Sequence, residues 1–123
     1  MWTNIFNDPI ETVYVAELSG QLIGFINYGP CFNKKHDESI KELRALYLCP
    51  EYFSKGIGSG LMEIVLQELN NSDCKRLTLW VLSSNKQALN FYHKMGFKLT
   101  GETQKEELHS QILVDLEMVL LLS

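Results

Sequence analysis

The sequence predicts an α/β fold, a mixed sheet flanked by helices, and three observations carry that prediction. Runs of β-branched and aromatic residues recur along the chain, two segments switch to helical spacing, and the elements follow the order strand, helix, strand, helix, strands. With 123 residues, 46% of them hydrophobic, the chain is long enough for a core without staples, which cores need below roughly 70–80 residues. A single domain over residues 1–123 is expected, because no repeat, low-complexity tract or Pro/Gly/Ser-rich linker divides it.

Residues 13–18 and 22–28 are β-branched and aromatic runs separated by Ser19-Gly20-Gln21, where glycine permits the positive φ of a tight turn, so a β-hairpin is expected. Gly29-Pro30 stops it, and the polar residues 33–39 form a solvated loop before a strand over residues 40–48 that Pro50 ends. From Ser59 to Leu69 the period changes. Leu61, Met62, Val65, Leu66 and Leu69 recur at helical spacing, Glu63, Gln67 and Glu68 fall on the wet face, and Asn70-Asn71 is the stop.

Residues 76–82 are again strand-like, and Ser84-Asn85-Lys86-Gln87 has the S-x-x-Q spacing of a capping box opening a second helix. Its apolar face is Ala88, Phe91, Tyr92 and Met95, Lys94 complements the negative end of the helix dipole, and Gly96 supplies the left-handed stop. Residues 97–99 and 111–122 are the closing strands, around a polar connection over residues 104–110.

Composition excludes several functions. A net charge of −4 offers no basic surface for nucleic acid, so any phosphate binding is local. Cys31, Cys49 and Cys74 are odd in number, widely spaced and free of any C-x-x-C pair, which argues against a disulfide framework or zinc site and for a reducing, cytoplasmic setting. No stretch approaches the roughly 18 apolar residues of a membrane span, and Met1-Trp2-Thr3-Asn4 lacks the layout of a signal peptide. The apolar Val119-Leu120-Leu121-Leu122 reads as the end of a buried strand.

The richest chemical signal is Phe53-Ser54-Lys55-Gly56-Ile57-Gly58-Ser59-Gly60, between a strand and a helix. Glycines let the backbone approach a ligand closely, and the free N–H groups of a first helical turn favour an anion such as a pyrophosphate. The same glycines also suit a sharp turn with no ligand. Two familiar phosphate loops are excluded by Leu61, which stands where a Rossmann loop needs its third glycine and where a Walker A loop needs its Gly-Lys.

The stretch Glu42-Leu43-Arg44-Ala45-Leu46-Tyr47-Leu48-Cys49-Pro50-Glu51-Tyr52, running into Lys55-Gly56-Ile57-Gly58-Ser59, resembles motif A of the GNAT superfamily of acetyl-CoA-dependent N-acetyltransferases. Trp80-Val81-Leu82, then Asn85, Ala88, Phe91-Tyr92, Lys94 and Gly96-Phe97, resembles that family's motif B. The resemblance implies a mostly antiparallel central sheet and transfer of acetyl from acetyl-CoA directly to a primary amine of a small molecule or peptide. It also implies that the backbone of Leu46, Tyr47 and Leu48 pairs with the pantetheine arm. Phe53, Ser54, Lys55, Gly56, Ile57, Gly58, Ser59 and Gly60 are implied to cradle the pyrophosphate, and Asn85, with Ala88 and Phe91, to line the pantetheine and acetyl region.

Tyr92 is implied as general acid. A phenol with a reference pKa of about 10 can protonate a thiolate whose conjugate acid is near about 8.5; the alternative is a core aromatic with a satisfied hydroxyl. An attacking amine must also lose a proton. Glu42 is the expected base, eleven residues before Phe53, the spacing at which several family members carry a catalytic glutamate; the alternative is a solvated charge at a strand edge. Asp37, Glu38 and Glu102 are weaker substitutes. Backbone N–H groups near Leu46 or Leu48 are placed to polarise the thioester carbonyl, and the transfer requires no metal. Cys49, followed by Pro50, reads as a packed thiol, and His36, His93 and His109 as surface residues.

Two departures from the family stand out. Phe53 occupies a position that is usually glutamine or arginine, which removes a side-chain phosphate contact and leaves the backbone N–H. Only residues 1–11 precede the hairpin, where the family has a strand and one or two helices walling the acceptor site. An open sheet edge is therefore expected, inviting a homodimer; a non-catalytic acyl-CoA-binding module is the alternative to the enzyme.

Overall fold

Ser19 and Gly20 both take left-handed backbone (φ 52° and 78°), the conformation of the two-residue turns whose twist matches paired strands. They join β2 (Thr12–Leu18) to β3 (Gln21–Pro30) as the expected antiparallel hairpin. The protein is seen here as a computed structural model that describes residues 2–7, 11–31 and 37–122. His36 and most of the polar loop expected over residues 33–39 lie outside the described residues.

A strand that the sequence reading lacked precedes the hairpin: β1 (Trp2–Asn7) pairs antiparallel with β2. The bare edge expected on β2 is thereby corrected. Trp-Thr-Asn-Ile-Phe-Asn has no period-two alternation, so its strand state comes from the ladder that β2 offers, not from its own pattern.

Next come β4 (Ile40–Leu48), a 3₁₀ turn at Pro50–Tyr52, α1 (Ile57–Asn70), β5 (Arg76–Leu82), α2 (Lys86–Lys94), β6 (Lys98–Leu108) and β7 (Gln111–Leu121). One seven-stranded sheet has the order β1-β2-β3-β4-β5-β7-β6. Only β4 and β5 are parallel, joined through α1, and the other neighbours are antiparallel. This is the mixed, mostly antiparallel sheet flanked by helices that the sequence leads one to expect.

The polar connection expected over residues 104–110 is corrected as well: β6 runs to Leu108, and only His109 and Ser110, at φ 52° and 66°, make the turn. Every residue of β6 is exposed, so no apolar face marks it in the sequence, and its pairing with β7 decides its state.

α1 turns Leu61, Met62, Val65 and Leu69 fully inward, against Ile26 and Leu77 of the sheet; each such burial contributes about 1.5–3 kcal/mol. Glu68, expected on the wet face, is half-buried instead and accepts hydrogen bonds from the hydroxyls of Tyr14 and Tyr28. Helical spacing alone does not reveal that two strand tyrosines reach up to it.

Candidate active site

The parallel ladder joins only Ile40, Lys41, Glu42 and Leu43 of β4 to residues 76–79 of β5, although β4 continues to Leu48 and β5 to Leu82. The cause lies on the other edge of β4. Tyr28 faces Leu43 and Asn27 faces Ala45, leaving Arg44 as the extra residue of a bulge, and a bulged strand bends. Beyond Leu43 the two strands part, and the β5-facing backbone of β4 has no strand partner.

A cleft of about 580 Å3 opens at this parting, within the roughly 300–1,000 Å3 of small-molecule sites. Leu46, Tyr47 and Leu48 of β4, with Pro50 of the 3₁₀ turn, form one wall. Phe53, Ser54, Gly56, Ile57, Gly58 and Ser59 form the loop wall, and α2 contributes the third through Asn85, Ala88, Phe91 and Tyr92. Of the expected cofactor-binding residues, Lys55 and Gly60 do not line the cleft, whereas Pro50, Gln87, Asn90 and Lys94, absent from that expectation, do. Gln87 and Lys94 carry helix-capping and dipole signals in the sequence, which hide their position on the cleft side of α2.

Gly56 caps α1 in the left-handed conformation, with no side-chain cap and no acidic residue in the first turn. Gly60 N–H donates to the Gly56 carbonyl at 3.0 Å, so the N–H groups of Ile57, Gly58 and Ser59 have no acceptor within the helix. The positive end of the dipole faces the cleft with them. Phe53 differs from expectation: its N–H donates to the Pro50 carbonyl at 3.1 Å, closing the 3₁₀ turn, and is not available to a phosphate.

The cap of α2 is Asn85, not Ser84. Its side-chain oxygen accepts from Ala88 N–H at 3.1 Å, which leaves the amide N–H groups outside the cap. The phenol ring of Tyr92 meets Phe91 edge-on at 5.5 Å and Phe97 at 5.7 Å. Burial among these rings pushes the Tyr92 phenol above its ordinary pKa, so it keeps its proton at neutral pH and can donate it.

Glu42 does not line the cleft. It is 8% exposed, and its Oε1 stands 3.1 Å from Nη1 of Arg44. Arg44 also bonds Glu11 through Nε and Nη2, and the Pro30 carbonyl through Nη2. Leu43 belongs to the core under α1, so strand alternation turns Glu42 to the opposite sheet face. Tyr92, packed against the core, and Glu42, still within the β4–β5 ladder, thus stand on opposite faces of the sheet. Asp37 bonds Ser39, Glu38 pairs with Lys41, and neither they, Glu102, His93 nor His109 line the cleft. Cys49 is half-buried and pushes the neighbouring Tyr47 phenol upward.

A family model described as the acetyltransferase (GNAT) family matches residues 1–97. The chain belongs to the GNAT acetyltransferase family. An uncharacterized N-acetyltransferase of Archaeoglobus fulgidus is 34% identical over 86 residues, 67% of this chain and 56% of that protein. The spermine/spermidine N(1)-acetyltransferase of Bacillus subtilis is 29% identical over 86 residues, 68% of this chain and 57% of that one. The chain therefore spans a little over half the length of these curated GNAT relatives. Its fold superposes on the crystal structure of smu.2055 from Streptococcus mutans with a TM-score of 0.83 at 28% identity, over 94% of this chain and 73% of that one. Among the described residues no helix is long and apolar enough to cross a membrane.

Proposed function

We propose that the protein is an acetyl-CoA-dependent N-acetyltransferase acting on a primary amine of a small molecule or peptide. The parting of β4 and β5 against an uncapped helix N-terminus carries this reading. The residues suit acetyl-CoA: three helix N–H groups await an anion, and the unpartnered backbone of β4 suits the amides of pantetheine.

Acetyl-CoA supplies the acetyl group as a thioester. Ile57, Gly58 and Ser59 hold its pyrophosphate through their N–H groups, with Ser54 at the loop, and the β5-facing main-chain groups of Leu46 and Leu48 on either side of Tyr47, whose own N–H faces β3, align the pantetheine and polarise the carbonyl. Asn85 donates its amide N–H to the pantetheine arm. Tyr92, held protonated by burial, gives its proton to the departing sulfur. Glu42, one rung before the parting, takes the amine's proton through water. The free thiols Cys31, Cys49 and Cys74 suit a cytoplasmic setting.

A second reading is a module that binds acyl-CoA without turnover; the engagement of Glu42 with Arg44 away from the cleft favours it. Thiol release from acetyl-CoA across a panel of primary amines separates the two. Release above the hydrolysis rate with at least one amine supports the transferase, and cofactor binding with no release supports the module.

A further inference from the structure

The chain carries a net charge of −4, yet no Asp or Glu lines the cleft and Lys94 is the one charged side chain that does. Lys94 is exposed and, among the described residues, has no ion-pair partner. The cleft is thus opposite in sign to the chain around it, a local preference for an anion. Lys55, the cation of the glycine loop, does not line the cleft.

The position of Lys94 is set by its neighbour one turn back. Phe91 packs on the first turn of α1, its ring 3.5 Å from where a Cβ would stand at Gly58. Lys94 follows Phe91 by three residues, on the same side of α2 and about 4.5 Å further along its axis. The cleft therefore offers anions two different partners: the N–H groups of Ile57, Gly58 and Ser59, and, a helical turn away, a point charge on a flexible stem. Across the cleft stands Phe53. Its N–H is committed to the Pro50 carbonyl, so what it brings to the cleft is its ring, 40% exposed, a flat face of the kind on which a nucleobase stacks.

We propose that Lys94 holds the 3′-phosphate of coenzyme A while Phe53 stacks on its adenine, so that the protein selects the 3′-phosphorylated cofactor over its 3′-dephospho form. The inference rests on the acetyl-CoA reading above. Coenzyme A carries its pyrophosphate, its 3′-phosphate and its adenine on a single ribose. A pyrophosphate on the first turn of α1 therefore keeps the other two groups near the α2 and loop walls, where Lys94 and Phe53 stand. A phosphate monoester carries a charge of about −1.5 to −2 at neutral pH, and Lys94 is the cation in the cleft that can meet it.

The test is calorimetric titration of coenzyme A and 3′-dephospho-coenzyme A into the native protein, Lys94→Gln, Phe53→Leu and Phe53→Trp, with Tm confirming that each is folded. The native protein is expected to bind coenzyme A about tenfold or more tighter than the dephospho form. Lys94→Gln brings the two together by weakening coenzyme A alone. Phe53→Leu weakens both severalfold, and Phe53→Trp, which keeps an aromatic face, restores both. Equal affinity of the native protein for the two forms, or a preference that Lys94→Gln retains, overturns the 3′-phosphate contact and leaves the acetyl-CoA reading standing. Native affinities in Phe53→Leu, or a Phe53→Trp as weak as Phe53→Leu, overturn the stack. A folded native protein that binds neither form overturns the inference and the acetyl-CoA reading together.

Discussion

Leu43 of β4 and Leu79 of β5 form the last rung of the parallel ladder. One residue later Arg44 bulges, and the strands separate to admit the cleft. The same bulge lets Arg44 gather Glu11, Glu42 and the Pro30 carbonyl on the far face, so one irregularity shapes both sides of the candidate site.

Gly58→Asp separates ligand binding from stability. A carboxylate in the first turn favours the helix dipole, and a Cβ at Gly58 meets Phe91 no closer than 3.5 Å, so Tm is expected to hold. The added charge opposes a pyrophosphate, and the acetyl-CoA dissociation constant is expected to rise about tenfold or more by calorimetric titration. Unchanged affinity would remove the helix N-terminus from the site.

Tyr92→Phe keeps the ring contacts with Phe91 and Phe97 and removes the proton. The expected kcat loss is about 10- to 1,000-fold with the acetyl-CoA dissociation constant unchanged. Because burial raises the phenol, no loss of kcat from its ionisation is expected below about pH 10. Full activity of the variant would return Tyr92 to a packing role.

Asn85 serves as cap and as cleft residue, and two substitutions divide the roles. Asn85→Asp retains the acceptor for Ala88 N–H but loses the amide donor, so weaker acetyl-CoA binding at near-native Tm is expected. Asn85→Ala removes both and should also cost about 0.5–2 kcal/mol of stability. Equal cofactor affinity in native protein and Asn85→Asp would confine the residue to capping.

Glu68 ties α1 to β2 and β3 through Tyr14 and Tyr28. Glu68→Ala leaves two part-buried hydroxyls without that acceptor, an expected loss of about 1–3 kcal/mol in urea unfolding. Burial, then the Glu68 hydrogen bond, pushes the Tyr28 phenol far above its ordinary range. The unfolded chain therefore loses this proton near about pH 10 while the folded chain keeps it. The unfolded state then binds fewer protons, so stability falls as pH rises beyond about 10. Tyr28→Phe should flatten that slope, and an unchanged slope would put its origin elsewhere.

What was legible in the sequence follows from where its signals are local. The β2–β3 hairpin, α1 and β5 bury one face and α2 half-buries one, so their periodicity survives in the residues themselves. β6 is exposed on both faces and the β1 sequence does not alternate, so pairing partners distant in sequence determine them. The glycine loop is contiguous and could be found by inspection. The Phe53 N–H, consumed by the Pro50 carbonyl, depends on a 3₁₀ turn that composition does not announce. Linear spacing from Phe53 selects Glu42 as a base beside the cleft, whereas the alternation set by Leu43 turns it to the far face, where Arg44 holds it.

Thermal unfolding with and without acetyl-CoA tests the central claim, that the parted strands and the start of α1 form a cofactor site. At about a hundred times its dissociation constant a ligand adds about 2.7 kcal/mol to folded-state stability. The expected result is a Tm increase of several degrees that Gly58→Asp abolishes at the same acetyl-CoA concentration. A folded native protein whose Tm does not move with saturating acetyl-CoA would contradict the account.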